Sequence, residues 1–271
     1  MGNGIAQSCA LAGFLVVMID VDEQRVARAN AAVATGLDRL VSKAKLSAGE
    51  REIALARLRG TTDYSALRVC DLIIEAATEN EALKLKLLQT EIEPRARGDA
   101  IVATNTSSIS ITKLGAATMR PQRFIGLHFF NPVPLMGLVE VVRGRQTDDA
   151  TVEAAVAFAK RLGKTPVVVE DSPGFVVNRL LCPMLNEAVL AYGEGVAAAA
   201  DIDEAMKLGC NHPIGPLALA DLIGLDVLLA VMEVFHGEFQ DPKYRPAPLL
   251  KEMVADGKLG RKSGRGFYTY T

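Results

Sequence analysis

Two side chains capable of acid–base chemistry lie on neighbouring apolar segments of this 271-residue chain. His128 belongs to the segment IGLHFF and Glu140 to LVEVV, and each lies six positions from Pro134 in the intervening NPVPLMG. If the two segments form an antiparallel hairpin centred near Pro134, the two side chains lie opposite one another. A carboxylate beside an imidazole fixes the tautomer and stabilises the imidazolium, which suits a general base acting on an alcohol. The alternative is a core histidine satisfied by a structural acid.

A run of polar side chains, Asn105-Thr106-Ser107-Ser108, directly follows the apolar segment AIVAT. Ligands of open parallel sheets gather at the carboxyl ends of the strands, so Ser107 is a candidate for holding a substrate oxygen. The alternative is that Ser108 or Ser110 caps the helical segment that follows. Asn178, near the start of a later helical pattern, is a second candidate, although a polar surface or packing role explains it as well.

The beginning of the chain carries part of a dinucleotide-binding pattern. Gly2-Asn3-Gly4 opens a helical pattern, and Asp20 ends the apolar segment LVVMI. In such a unit the pyrophosphate lies against a glycine at the helix start, and an acid about 20 residues later binds the adenosine ribose. Asp20 therefore favours NAD over NADP. Arg25 could soften that preference, but we interpret it as an exposed helix residue. A complete motif has a strand and two more glycines before Gly2, so either the sequence starts late or the first strand is missing.

Around these candidates, the first roughly 170 residues alternate between strand-like and helix-like segments. The link NPVPLMG is too short for a crossover helix, so its two flanking strands are predicted to be antiparallel. The alternation predicts an α/β fold, with a Rossmann-like, mostly parallel sheet in a dinucleotide-binding domain of residues 1–171. The strand-like segments are LVVMI, DLIIEA, AIVA, IGLHFF, LVEVV and PVVV, and the helical patterns span about 22–45, 79–94 and 149–162, with a short helix from about Ser110.

The pattern changes at Glu170-Asp171-Ser172-Pro173-Gly174, where Asp or Ser before Pro is a signal for the start of a helix. No strand-like segment follows. Residues 172–271 are therefore predicted to form an all-α domain. Its helical patterns run through FVVNRLLCPMLNEAVLAY, DIDEAMKLG, PLALADLIGLDVLLAVMEVF and PLLKEMVADG.

Composition excludes several classes of protein. Lys plus Arg is 30 and Asp plus Glu is 32, and the resulting charge of −2 gives no general attraction to nucleic acid or to a membrane surface. No segment has the about 18 apolar residues of a membrane span, and the N-terminus lacks the basic region of a secretory signal. No pair of cysteines has the spacing of a zinc or redox site, so we predict no metal and reduced core thiols in a cytoplasmic protein. The cysteines are Cys9, Cys70, Cys182 and Cys210.

Six motifs together resemble a known family, the L-3-hydroxyacyl-CoA dehydrogenases, over nearly the whole chain. They are NTSSISI, RFIGLHFFNPVP, LVEVV, DSPGFVVNR, CNHPIGPLALADLIGLD and GRKSGRGFY, in this order and spacing. The family oxidises the 3-hydroxyl of a 3-hydroxyacyl-CoA to the 3-keto ester while hydride passes to NAD, and it also runs in reverse. The resemblance implies a short-chain acyl-CoA substrate such as 3-hydroxybutyryl-CoA, NAD with NADP as the alternative, and a homodimer formed through the helical domain.

The resemblance also implies roles for individual residues. His128 is expected to be the general acid/base and Glu140 its partner, while Ser107 and Asn178 contact the substrate and shape the site. Lys43 and Lys45 fall where the family meets the phosphates of coenzyme A, although lysines on an exposed helix need no ligand to explain them. The expected cofactor-binding residues are Gly2, Asp20, Glu79, Lys84, Ser107, Asn131 and Lys262.

Two rival hypotheses remain at this point. The first is a related oxidoreductase that acts on a sugar acid or another 3-hydroxy acid without coenzyme A. The second is a non-catalytic or truncated relative that binds acyl-CoA or has a structural role, and the absent glycines favour it. Activity on free acids would indicate the first, and failure to bind NADH would indicate the second.

Overall fold

The computed structural model describes residues 1–270, which divide into two compact units. The first unit comprises Met1–Ser172 and the second begins at Pro173. Each unit has a hydrophobic core of its own. The first unit combines helices with mostly parallel strands and the second is helical, which confirms the predicted fold class.

The strands of the first unit form a two-stranded and a five-stranded sheet. The strands are β1 (Val16–Ile19), β2 (Leu58–Thr61), β3 (Leu72–Glu75), β4 (Ile101–Thr104), β5 (Phe124–Phe129), β6 (Leu138–Arg143) and β7 (Thr165–Glu170). β1 pairs with β2, and the larger sheet has the order β3-β4-β5-β6-β7. Only the β5–β6 pairing is antiparallel, as predicted. The carboxyl ends of β3, β4 and β5 and the amino end of β6 therefore share one edge, which we call the carboxyl edge.

Most helices of the first unit begin at a side chain that accepts a hydrogen bond from the backbone of the first turn. The helices are α1 (Gly2–Leu11), α2 (Glu23–Ser42), α3 (Ala48–Ala56), α4 (Glu81–Leu87), α5 (Ile111–Ala116) and α6 (Asp149–Arg161). Such caps satisfy amide groups that have no partner inside the helix. Ser110 caps α5, which confirms the prediction that Ser108 or Ser110 caps this helix. The other capping residues are Asp22, Ser47, Asn80 and Asp148.

Two elements, α3 and β2, were not predicted from the sequence. The segment of β2, LRGT, contains only one large apolar residue, and it becomes a strand by pairing with β1, with Val16 opposite Leu58. A Cβ atom placed on Gly60 would lie 2.4 Å from Val26 Cγ1, so α2 packs directly on the backbone of this strand. The strand thus depends on contacts with distant segments, which local patterns do not report.

The core of the first unit lies against one face of β5 and β6. Leu127 and Val141 belong to this core together with Ile5 of α1 and Ala155 of α6. Successive side chains of a strand point to opposite faces of the sheet. His128 and Glu140 therefore lie on the face opposite to this core. Each is adjacent in sequence to one of these core residues, which anchor the strands.

The second unit is built from five helices and short 3₁₀ turns among residues 173–270. They are α7 (Val177–Gly193), α8 (Ala199–Cys210), α9 (Pro216–Ile223), α10 (Leu225–Phe239) and α11 (Pro248–Ala255). Gly224 separates α9 from α10. Its φ of +106° is not helical, and glycine adopts this angle readily whereas other residues would be strained. Within the part of this unit that the structure describes, β contacts are limited to isolated bridges at Gly260, Arg265 and Thr269.

The predicted helix start at Asp171-Ser172-Pro173 is wrong. α7 begins only at Val177, after a turn. Asp171 instead binds the start of α5 beside the cap Ser110, where its carboxylate accepts hydrogen bonds from Ser110 Oγ at 2.7 Å and from Thr112 N at 2.8 Å. The helix start that Asp171 supports therefore lies about 60 positions earlier in the chain.

The four cysteines are free thiols, and the prediction that all are core residues needs a correction. Cys9 and Cys182 are buried, whereas Cys70 is partly exposed and Cys210 is exposed at the end of α8. None of the helices within residues 1–270 is both long enough and apolar enough to cross a lipid bilayer.

Candidate active site

His128 and Glu140 meet on the antiparallel strands β5 and β6, where the register pairs them directly. The distance from His128 Nδ1 to Glu140 Oε2 is 2.7 Å, and the residues are 7% and 1% exposed. The ring of Phe130 lies 4.5 Å from the imidazole, centroid to centroid. The prediction that the two side chains lie opposite one another is confirmed.

This geometry determines which nitrogen of His128 can exchange a proton with a ligand. A carboxylate only accepts, so Nδ1 carries the proton in the bond to Glu140. The lone pair of the neutral ring is then on Nε2, the atom that can take a proton from a hydroxyl. Because Glu140 is buried, its charge stabilises an imidazolium more strongly than an exposed carboxylate would. The pair has the composition and geometry of a general acid/base with an orienting carboxylate.

The turn after β4 carries Ser107 at the same carboxyl edge. Asn105 Oδ1 accepts a hydrogen bond from Phe129 N at 2.9 Å, which ties this turn to the residue after His128. Ser107 is partly exposed, and its hydroxyl donates to Glu79 Oε1 at 3.1 Å. The turn thus holds a hydroxyl group near the strand end that carries the histidine.

Glu79, in the loop between β3 and α4, orders this turn through one carboxylate oxygen. Its Oε1 accepts hydrogen bonds from Thr106 Oγ1 at 2.6 Å and from the backbone of Ser107 and Ser108 at 2.8 and 2.9 Å. Burial raises the pKa of Glu79, but these hydrogen bonds and the charge of Lys84 outweigh it and leave the pKa below its usual value. Besides its predicted cofactor contact, Glu79 therefore shapes the turn that presents Ser107.

Lys84, one of the predicted cofactor residues, has a fully buried side chain. Its Nζ lies 2.8 Å from Glu75 Oε2 in an ion pair that is equally buried. Glu75 also accepts hydrogen bonds from Thr104 Oγ1 at 2.7 Å and from Ala77 N at 2.6 Å. The ammonium of Lys84 thus holds the carboxylate of Glu75 at the end of β3, and the role of Lys84 in cofactor binding stays a prediction.

The start of α1 and the end of β1 carry Gly2 and Asp20. No side chain caps α1, and the nearest atom to a Cβ placed on Gly2 is Ala76 Cβ, at 3.8 Å, just beyond β3. An open helix start beside the carboxyl edge suits an anionic group such as a pyrophosphate. Asp20 follows β1 directly, and its Oδ1 accepts a hydrogen bond from Val21 N at 2.8 Å. These residues therefore fit a dinucleotide.

The remaining candidates of the first unit lie at its surface. Asn131 is exposed at the beginning of the loop between β5 and β6, and Lys43 and Lys45 are exposed just beyond the end of α2. Arg25 forms an ion pair with Asp22 at 3.2 Å, in agreement with its interpretation as an exposed helix residue. The predicted ligand contacts of Asn131, Lys43 and Lys45 involve accessible side chains and stay predictions.

Two candidates belong to the second unit. Asn178 is in the first turn of α7. Lys262 lies in a 3₁₀ turn, where its Nζ is 2.6 Å from Asp226 Oδ2. The roles of both residues also stay predictions.

Two residues that support the site, Glu75 and Lys164, were not among the predicted site residues, and Asn105 was predicted only as part of a polar run after a strand. Glu75 ends β3, and a polar side chain at a strand end is a signal that could have found it. Lys164 donates to Val133 O and Met136 O, which are 31 and 28 positions away in the chain, so no local pattern indicates its role.

Two family profiles match the chain consecutively. The one described as "3-hydroxyacyl-CoA dehydrogenase, NAD binding domain" matches residues 1–172. The one described as "3-hydroxyacyl-CoA dehydrogenase, C-terminal domain" matches residues 174–270.

Relatives and solved structures agree over the full chain. A 3-hydroxybutyryl-CoA dehydrogenase of Bradyrhizobium diazoefficiens is 52% identical, with 100% of this chain and 92% of the relative covered. The mitochondrial hydroxyacyl-coenzyme A dehydrogenase of Sus scrofa is 44% identical, with 100% and 88% covered. The crystal structure of (S)-3-hydroxybutyryl-CoA dehydrogenase PaaH1 from Ralstonia eutropha superimposes with a TM-score of 0.98 at 60% identity, covering 100% of this chain and 95% of that one.

Proposed function

We propose that this chain, which belongs to the 3-hydroxyacyl-CoA dehydrogenase family, acts on a short-chain ester such as 3-hydroxybutyryl-CoA. It is an NAD-dependent oxidoreductase that interconverts 3-hydroxyacyl-CoA and 3-ketoacyl-CoA. The observation that supports this chemistry best is the buried His128–Glu140 pair at the carboxyl edge. The full-length similarity to relatives named for 3-hydroxybutyryl-CoA supports the short acyl chain.

His128 exchanges the proton of the reaction. In the oxidative direction, Nε2 of the neutral ring takes the proton of the C3 hydroxyl as C3 loses a hydride, and Glu140 stabilises the resulting imidazolium. NAD, when bound, supplies the hydride acceptor. In the reductive direction the protonated ring gives its proton to the carbonyl oxygen. Because oxidation releases one proton, a lower pH favours reduction.

The other site residues bind and orient. Ser107, held by Glu79, hydrogen-bonds a substrate oxygen, and Asn178 contributes a second polar contact. Asp20 binds the adenosine ribose and disfavours a 2′-phosphate by charge repulsion. Gly2 leaves room for the pyrophosphate, and Asn131 and Lys262 contact the cofactor. Lys43 and Lys45 bind phosphates of coenzyme A at an exposed surface.

The substrate is tested by following NADH formation with 3-hydroxybutyryl-CoA, with a long-chain 3-hydroxyacyl-CoA and with free 3-hydroxybutyrate. We expect the highest kcat/KM for the short CoA ester and little turnover of the free acid. Preference for the free acid would instead support the rival that acts without coenzyme A. Absence of turnover together with absence of NADH binding would support the non-catalytic rival, to which the family relatives lend no support.

We further propose a homodimer in the cytoplasm. Several leucines on the helices of the second unit are strongly exposed, and burying them against a second copy would remove them from water. They are Leu180, Leu208 and Leu222. Sedimentation velocity tests the dimer, and a single species with the mass of one chain would contradict it.

A further inference from the structure

Lys164 is a nearly buried lysine that bonds backbone carbonyls and is not part of the chemistry described above. It lies between α6 and β7 and is only 9% exposed. Its Nζ donates to Val133 O and to Met136 O, each at 2.7 Å. No carboxylate within residues 1–270 forms an ion pair with it, and burial lowers the pKa of its ammonium. A buried charge without a counter-ion is costly, so both carbonyls are strong partners for it.

The two carbonyls belong to loop 130–137, which joins β5 to β6 and therefore joins His128 to Glu140. The neighbouring amide, Thr165 N, donates to Gly137 O of the same loop at 2.7 Å. Three carbonyls of the loop are thus bound by two consecutive residues at the start of β7. Asn131, the cofactor contact of the proposed function, lies at the beginning of this loop.

The same loop lies against α1, which begins at Gly2, the proposed contact of the pyrophosphate. A Cβ atom placed on Gly4 would be 3.0 Å from Val133 Cβ and 3.5 Å from Pro134 Cδ. The charge of Lys164 also lowers the pKa of Cys9 on α1, although burial raises it to about 12 overall. Lys164 is therefore close to both the loop that connects the acid/base pair and the helix that begins at the cofactor residues.

We propose that Lys164 is a positioning residue that fixes loop 130–137, and with it Asn131 and the seat of α1, in the geometry that binds NAD. This inference rests on the proposed function. An ammonium suits the task because it offers three donors and no acceptor, whereas an apolar side chain would leave two carbonyls without their donor. Its loss is expected to act mainly on cofactor binding, since the loop begins with Asn131 and α1 begins at Gly2, and both residues are proposed contacts of the cofactor.

The test replaces Lys164 with Met, which has a similar length and no donor. We expect kcat/KM for NAD to fall about 10- to 100-fold, the range produced by small displacements of reacting groups. The KM for NAD should rise and kcat should fall, while the KM for the acyl-CoA stays within about twofold. A loss of folded enzyme alone would lower kcat and leave both KM values unchanged. The control is Lys160→Met, an exposed lysine on α6.

A second variant, Lys164→Gln, retains a donor without the charge and should fall between Lys164→Met and the wild type. If Lys164→Met does not fold, Lys164→Gln is judged by the same split of the two KM values. A folded variant with the KM for NAD and the kcat of the Lys160→Met control overturns the proposal. Failure of both variants to fold also overturns it, because Lys164 would then serve the fold as a whole.

The result can be separated from a failure of the proposed function. NADH binding is measured by fluorescence for the wild type and both Lys164 variants, without any acyl-CoA. Weaker NADH binding by the variants supports the positioning role even if the wild type proves inactive on 3-hydroxybutyryl-CoA. Equal NADH binding by the wild type and the variants contradicts it whatever the substrate turns out to be.

Discussion

Two buried carboxylates, Glu140 in the first unit and Asp203 in the second, differ in the groups to which they are hydrogen-bonded. Glu140 is 1% exposed and lies 2.7 Å from a ring nitrogen of His128. Asp203 is 5% exposed and accepts hydrogen bonds from Leu217 N at 2.7 Å and from Ala218 N at 2.9 Å, at the start of α9. An imidazole can exchange a proton with a ligand, whereas a backbone amide cannot. Burial and a short hydrogen bond therefore do not distinguish an active site, but the partner of the carboxylate does.

The largest effect on turnover is expected from removing the imidazole, the group that distinguishes the surroundings of Glu140 from those of Asp203. His128→Gln should lower kcat at least about 100-fold, because general acid–base catalysis typically contributes about 10²–10⁴-fold. The melting temperature should change little. Stopped and continuous assays of NADH formation measure the effect, with the exposed residue His236 changed to Gln as the control. Near-normal turnover of His128→Gln would end the assignment of this residue.

The next largest effect is expected from Glu140→Gln. The amide keeps the shape of the side chain but cannot stabilise an imidazolium, so kcat should fall about tenfold or more. Steady-state assays of NADH formation measure kcat for Glu140→Gln and for the wild type. An unchanged kcat would mean that Glu140 only packs against the ring.

Asp203→Asn should show the opposite behaviour. Its carboxylate also accepts from Tyr268 Oη at 2.7 Å, and hydrogen bonds to a charged group contribute about 1.5–3 kcal/mol. We expect the free energy of unfolding to fall by about this amount while the folded variant retains its kcat. Urea unfolding measures the change, with the exposed residue Asp201 changed to Asn as the control. A large loss of kcat without a loss of stability would erase the distinction between the two carboxylates.

The smallest effect is a pH dependence at Glu79. Because the pKa of Glu79 is lowered from 4.5 in the folded protein, its ionised form stabilises the fold fully above this value, and the contribution is lost as the pH falls through the folded pKa. The difference in unfolding free energy between the wild type and Glu79→Gln should therefore be largest at neutral pH and shrink in acid. Glu153→Gln, at an exposed position, is the control. A difference that is independent of pH would contradict the assignment.

The hairpin was predictable because its evidence is local. Alternating apolar residues, a short proline-rich link and symmetric spacing around Pro134 sufficed to place His128 opposite Glu140. The serine turn was predictable for the same reason, since it directly follows an apolar strand. For the hairpin and the turn after β4, local order along the chain therefore carries enough information to place the side chains.

The errors concern features that depend on contacts between distant segments. β2 is a strand because β1 pairs with it, and Asp171 binds the start of α5 rather than that of the helix that follows it. Lys84 lies in a predicted helix, and its buried ion pair with Glu75 was not predicted from the sequence. In each case only the tertiary structure identifies the partner.

The anchoring of loop 130–137 restricts how this protein can vary in length. Since Val133, Met136 and Gly137 are bound by two adjacent residues at the start of β7, inserting or deleting one residue there would separate at least one carbonyl from its donor. It would also shift the register that brings His128 to Glu140. Engineering of this enzyme by loop grafting should therefore exchange residues within this segment and keep their number.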